Sequence, residues 1–167
     1  MAHYAKNMYD FHAWANQTLI NRLKELPEGV YEQEVQSVFP TVAKVMEHIY
    51  MVDQSWLLIL QGMDMQAAMD ETWQQEKKIT GKNLEEVEQL YAGLVEQFKA
   101  FLSQEEDLER RIVLDNPYTR VRDTSLAEII MQVVNHGTYH RGNITAMLRQ
   151  MGYSSVMTEY ALYWYAN

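Results

Sequence analysis

"SLAEIIMQVVNHGTYHRGNITAMLRQMG", residues 125–152, is the stretch on which the fold turns. Steps of three and four from Leu126 reach Ile129, Val133, His136, His140, Asn143 and Met147, a stripe along one side of a helix. Ser125 with Glu128 three residues on forms a capping box that opens this helix, and Gly152 is a natural C-terminal stop, so the helix runs from about Leu126 to Met151. Two histidines four apart sit in the middle of a stripe that faces an apolar core. A polar ring in that position must find a partner, and what that partner is decides the chemistry.

Working outward, three more amphipathic helices are legible. Tyr4, Met8, Phe11, Ala15 and Thr18 mark the first, Tyr4 to Leu26, which Pro27 and Gly29 stop. The second runs from about Thr41 to Leu60 with Val42, Val45, Ile49, Val52, Trp56 and Leu60 on one broad face, and Pro40 and Thr41 suit its first turn. Residues 62–82 keep no sustained period and read as a long connection with at most a loose helical turn. Asn83 with Glu86 opens the third, whose stripe is Leu84, Val87, Tyr91, Leu94, Phe98 and Phe101. "RRIVLDNPYTRV", residues 110–121, is β-like and carries an Asn-Pro turn signal, which suggests a small ribbon or an extended loop. The aromatic "SSVMTEYALYWYAN", residues 154–167, reads as a short helix packed on the body of the protein or on a partner chain. Four long helices without substantial strands predict an all-α four-helix bundle in which the long connection lets the second and third helices run parallel. With 167 residues, 47% of them hydrophobic, the expectation is one domain over residues 1–167.

The chain has no cysteine, so thiolate metal sites, disulfides and a cysteine nucleophile are excluded, and any metal must be held by nitrogen and oxygen. A formal net charge of −9 opposes a phosphate backbone and argues against nucleic acid as a partner. The polar N-terminal run "MAHYAKNMYDFHAW" and the lack of a spanning apolar segment predict a cytoplasmic protein with no membrane contact.

His48 lies on the row Val45, His48, Val52 at the edge of the second helix's apolar face. If the second and fourth helices are neighbours, a rise of about 1.5 Å per residue leaves His48, His136 and His140 level, and the three rings can converge. A lone core histidine is ordinarily satisfied by a carbonyl or hydroxyl. An i, i+4 pair with a third histidine at its height points to a metal site. His3 and His12 are read as surface or structural residues, with His12 able to approach as a fourth ligand or proton carrier. Arg141 points a quarter-turn from a ligand and suits a salt bridge within or between subunits, or an anionic substrate. Asn16 and Tyr139 suit packing or hydrogen bonding behind the ligands, Gly142 a close helix approach, and the Met and Trp residues the core.

"FHAWANQTLINRL", "VMEHIYMVDQSWL" and above all the "H...HRG" element of "VVNHGTYHRGNITAMLRQMGY" resemble the DinB-like superfamily over nearly the whole chain. The resemblance implies a left-handed bundle of up-down-down-up topology and a metal bound by three histidines, which by motif position are His48, His136 and His140. It also implies bacterial, cytoplasmic, often dimeric proteins, some of them metal-dependent transferases of bacillithiol, mycothiol or a related low-molecular-weight thiol. Glu159 stands where the family often has Asp. Three neutral imidazoles leave zinc one open position, or nickel several, for water or a thiol. Without a protein cysteine the thiol must arrive as cosubstrate. The expectation is therefore thiol transfer to a small electrophile, or hydrolysis, with a non-catalytic metal-binding or interaction protein of stress response as the rival.

Overall fold

The computed structural model describes residues 3–166. Four long helices dominate it: α1 (Tyr4–Lys24), α2 (Val42–Leu60), α4 (Leu84–Gln104) and α5 (Leu126–Gln150). Between α2 and α4 lies α3 (Met65–Gln74), and α6 (Tyr160–Tyr163) follows α5. The strands β1 (Arg111–Asp115) and β2 (Val121–Ser125) form one antiparallel ribbon between α4 and α5, with Arg111 opposite Ser125 and Asp115 opposite Val121.

Side-chain contacts at the helix ends fix the directions. Lys24 at the end of α1 pairs with Glu88 near the start of α4 at 2.7 Å, and Glu47 near the start of α2 accepts from the Gly81 amide just before α4. Arg22 donates to the Ser154 carbonyl just beyond α5, at 3.0 Å. The end of α1, the starts of α2 and α4 and the end of α5 thus share one end of the bundle. Lys6, reaching the Glu105 carbonyl, marks the other. Up-down-down-up follows, with α2 and α4 parallel.

The core takes in Ile49, Phe98 and Met147 of the predicted stripes but is centred partly beside them, since Tyr4 is exposed and Val52 and Trp56 are only half-buried. Leu19, Ile20, Met46, Ile49, Leu57, Phe98, Ile130, Ile144 and Met147 are fully buried. Tyr9 stacks on Phe98 with centroids 4.4 Å apart, and the Tyr91 hydroxyl donates to the Met46 carbonyl at 2.8 Å. Each such side chain contributes roughly 1.5–3 kcal/mol by leaving water. Both capping boxes, Asn83 with Glu86 and Ser125 with Glu128, are formed. Gly152 takes a positive φ of 86° at the end of α5, which glycine adopts without penalty.

Residues 62–82 depart from the expected loose connection. Asp64 caps α3 by accepting from the Ala67 amide, and only Ala68 and Thr72 of its ten residues are buried. A two-residue footprint is too narrow to show as a period, which is why the sequence pattern hides this helix. The 110–121 stretch resolves in favour of the ribbon, with its turn held by the Asn116 side chain accepting from the Tyr118 amide. The tail packs on the body through Phe11 and Trp14 of α1 against Tyr163. Among the described residues no helix is long and apolar enough to cross a membrane.

Because Ser125 joins the ribbon to α5, its substitution tests the capping box. Ser125→Ala should lower the unfolding free energy by about 1 kcal/mol in urea titration, and an unchanged midpoint would show that the box contributes nothing.

Candidate metal centre

His136 and His140 lie one turn apart on α5 with ring centroids 4.4 Å apart, and His48 comes from α2 to within 4.6 Å of His140 and 5.0 Å of His136. Nε2 of His48 faces Nε2 of His136 at 3.1 Å, and one ring nitrogen from each of the three residues lies within 4.8 Å of the other two. A tetrahedral ion about 2.0–2.1 Å from each nitrogen needs N···N separations of about 3.3 Å. The closest pair, at 3.1 Å, is near that spacing.

The rings are held neutral. Burial first, then the His140 and His48 rings, push His136 down to about 3, and burial followed by His48 takes His140 to about 4. Burial also lowers His48, against the pull of Asp53. At pH 7 all three therefore offer lone pairs, the form a metal needs. The other ring nitrogen of His136, Nδ1, is buried without a hydrogen-bond partner. Asn143 places its side-chain amide 3.4 Å from the His140 Nδ1, where a rotated amide presents its oxygen to that N–H. Phe39 packs on both the His48 and the His140 rings, at 5.1 and 5.5 Å. These residues fit a divalent ion in donor type, spacing and protonation.

Behind the centre lies a second polar layer. His12 is buried rather than on the surface, and its Nε2 faces Asp53 Oδ2 at 2.8 Å. Arg141 Nη1 lies 3.3 Å from the His12 Nδ1 and donates to Asn16 Oδ1 at 2.8 Å. Arginine can only donate, so Nδ1 of His12 is the acceptor and Nε2–H donates to Asp53. Arg141 Nη2 donates to the Thr138 hydroxyl. Arg141 thus has an amide, a hydroxyl and a ring nitrogen as partners where a salt bridge was expected. Burial lowers its pKa to about 10, which leaves it charged at pH 7. His12 stands outside the three-histidine group and takes a structural place, as Asn16 does.

Other expectations are corrected here. A Cβ on Gly142 would meet nothing within 4 Å, so that glycine brings no helix close. The close approach is at Gly137, where a Cβ would fall against the His12 ring and 2.9 Å from Arg141 Nη1. Tyr139 is mostly exposed and meets His140 edge-on at 5.0 Å. His3 caps α1, its Nδ1 accepting from the Ala5 amide. Glu159 is exposed at the start of α6 and lines a groove formed with α1 and α5 rather than the histidine centre. Trp73 and Trp164 are exposed, not core. Asp53 was missed, although a lone acid inside the greasy run "IYMVDQSWLLIL" signals a buried partner.

Two measurements check this geometry. Gly137→Ala should destabilise by about 1–3 kcal/mol through overpacking against His12, while Gly142→Ala should be neutral or stabilising by up to about 1 kcal/mol; equal effects in denaturant titration would refute the close approach. For pH, the folded pKa values of His136 and His140 lie below the unfolded value of about 6.5. The unfolded chain then binds more protons between that value and about 4 for His140, or about 3 for His136, so stability is full above about 6.5 and is lost as pH falls through the window. In metal-free protein, His136→Gln should flatten this loss; identical slopes for the two proteins would contradict the neutral, buried state of the ring.

The DinB family model matches residues 1–167. Protein DinB from Bacillus subtilis (strain 168) is 44% identical over 163 residues, which cover 98% of this chain and 95% of that protein. Among solved structures, YfiT from Bacillus subtilis, described as "a probable metal-dependent hydrolase with an unusual four-helix bundle topology", aligns with a TM-score of 0.68 over 90% of this chain and 89% of its own. At 16% identity that likeness speaks for the bundle alone. From a family model matched end to end and a relative of nearly equal length, it follows that the chain belongs to the DinB family.

Proposed function

We propose that the protein is a metal-dependent enzyme acting on a small molecule, in which His48, His136 and His140 each give one ring nitrogen to a divalent ion, zinc or nickel. The observation that carries this reading is the convergence of three neutral imidazoles from two helices. A divalent ion in that donor set keeps a position for an exchangeable ligand and acts there as a Lewis acid on water or a thiol. The chain's own residues do the rest. Phe39 covers two of the rings and keeps water from their edges, Asn143 orients His140, and the His12–Asp53–Arg141 layer sets the height of α1 and α2 against α5.

The reaction we favour is transfer of a low-molecular-weight thiol, bacillithiol or similar, to a small electrophile. The thiol gives its proton to solvent water, sulfur bonds to the electrophilic carbon, and the leaving group departs with the bonding pair. The absence of cysteine supports it, since no internal thiol competes. Hydrolysis is the second reading, supported by the description of YfiT. The same proposal takes residues 1–167 as one domain in a cytoplasmic homodimer, for which Trp164 and Tyr165, exposed on the tail, offer a contact surface. With a net charge of −9 it gives nucleic acid no role.

Elemental analysis tests the ligands. His48→Ala, His136→Ala and His140→Ala should each lose most of the bound metal, whereas His3→Ala should keep it; full occupancy in His48→Ala would refute the site. In the cobalt form, millimolar bacillithiol should add a sulfur charge-transfer band. If no low-molecular-weight thiol perturbs the spectrum, thiol transfer fails and hydrolysis or a non-catalytic role replaces it.

A further inference from the structure

Beside the three histidines lies a cavity of about 460 Å³ that neither the ligands nor the polar layer behind them explains. His48 and Phe39 form its inner wall, and Phe39 also touches His140, so the cavity and the centre share two side chains. One long side comes from α2, and the rest of the wall comes from elements outside the four long helices. Met69 and Trp73 belong to α3 and Tyr118 to the turn of the ribbon, with Met51 of α2 between them. Trp73 is 70% exposed and Tyr118 75% exposed, two large rings left in water, one from α3 and one from the ribbon, that both line the cavity.

Ser55, Thr72, Lys44 and Glu47, four of the polar residues in this wall, are already engaged in hydrogen bonds or an ion pair. The Ser55 hydroxyl shares its one proton between Thr72 Oγ1 and the Met51 carbonyl, and Thr72 donates to the Ala68 carbonyl. Glu47 accepts from Lys44 at 2.6 Å and from the Gly81 amide at 3.3 Å. A sugar or a polyanion entering here would lose its water and find few free partners. An apolar ring would meet Phe39, Met51, Met69, Trp73 and Tyr118, and a volume of a few hundred Å³ suits a group of that size. The two exposed rings would lose water-exposed surface when such a group seats between them.

We propose that this cavity receives the organic part of the substrate whose reactive end meets the histidine centre, and that it selects an aromatic or comparably apolar group, with Trp73 and Tyr118 as the specificity-determining residues. The inference rests on the reading of His48, His136 and His140 as metal ligands. It assigns α3 and the ribbon a purpose, since each carries one of the two rings.

Two metal-binding probes with the same head group separate the cavity from the centre. Acetohydroxamate and benzohydroxamate present identical chelating atoms and differ in a methyl against a phenyl. With the zinc-loaded full chain in calorimetric titration, the phenyl compound should bind about tenfold more tightly or better. Trp73→Ala and Tyr118→Ala should each reduce that preference severalfold, with metal content and acetohydroxamate affinity unchanged, while Trp164→Ala on the tail should leave it intact. Equal affinities for the two probes, or a preference that survives both substitutions, overturn the cavity assignment and leave the metal centre standing. Failure of both probes to bind the zinc-loaded protein overturns the open centre itself and this inference with it.

Discussion

The His12–Asp53 hydrogen bond is the contact on which the rest of the molecule is registered. It joins α1 to α2 in the protein interior, and through Arg141 it reaches α5 as well, so three bundle helices are tied at one level. Burying a carboxylate and a guanidinium costs several kcal/mol each before their mutual attraction is counted, and an apolar layer would serve stability as well. An apolar layer could, however, slide by a turn with little penalty. Displacing this one would strand an aspartate, an arginine and a histidine without partners. Its effect is therefore on register, and Gly137 is part of the same device because only a bare Cα lets the His12 ring lie against α5.

With register fixed, the histidines need little further help. Arg141 follows His140 directly, Gly137 follows His136 directly, and Asp53 is five residues beyond His48. The polar layer and the imidazole cluster are thus two faces of the same stretch of α2 and α5. Behind, charge is buried and paired with hydrogen-bonding groups. In front, burial and mutual repulsion strip charge from the rings. The short helix α3 and the ribbon then stand on the front side, outside the bundle, where their rings frame the approach to His48.

Much of this was legible in the chain itself. The long helices have wide apolar stripes and strong caps, so Asn83, Ser125 and Gly152 mark their ends almost to the residue. The rings of His48, His136 and His140 meet because all three sit on or beside stripes that must face inward. What escaped were features with small footprints or distant partners. Helix α3 buries only Ala68 and Thr72, and Gly142 and Gly137 are indistinguishable until the position of His12 is known. Arg141 looks like a salt-bridging residue by composition, and only the packing of α1 shows that an amide and a ring nitrogen meet it instead.

The parallel placement of α1 beside α5 ties together parts of the chain made at opposite ends of synthesis. His12 and Arg141 are 129 residues apart, and His48 and His136 are 88 apart. Loop closure over such distances is slow, and contacts of this kind form late. A ribosome-bound chain that has released α1 to α4 holds an aspartate and a histidine with no arginine to meet them and one imidazole of three. The three-histidine group cannot assemble piecemeal during elongation: its full set of ring nitrogens comes together in one step, when the last long helix docks.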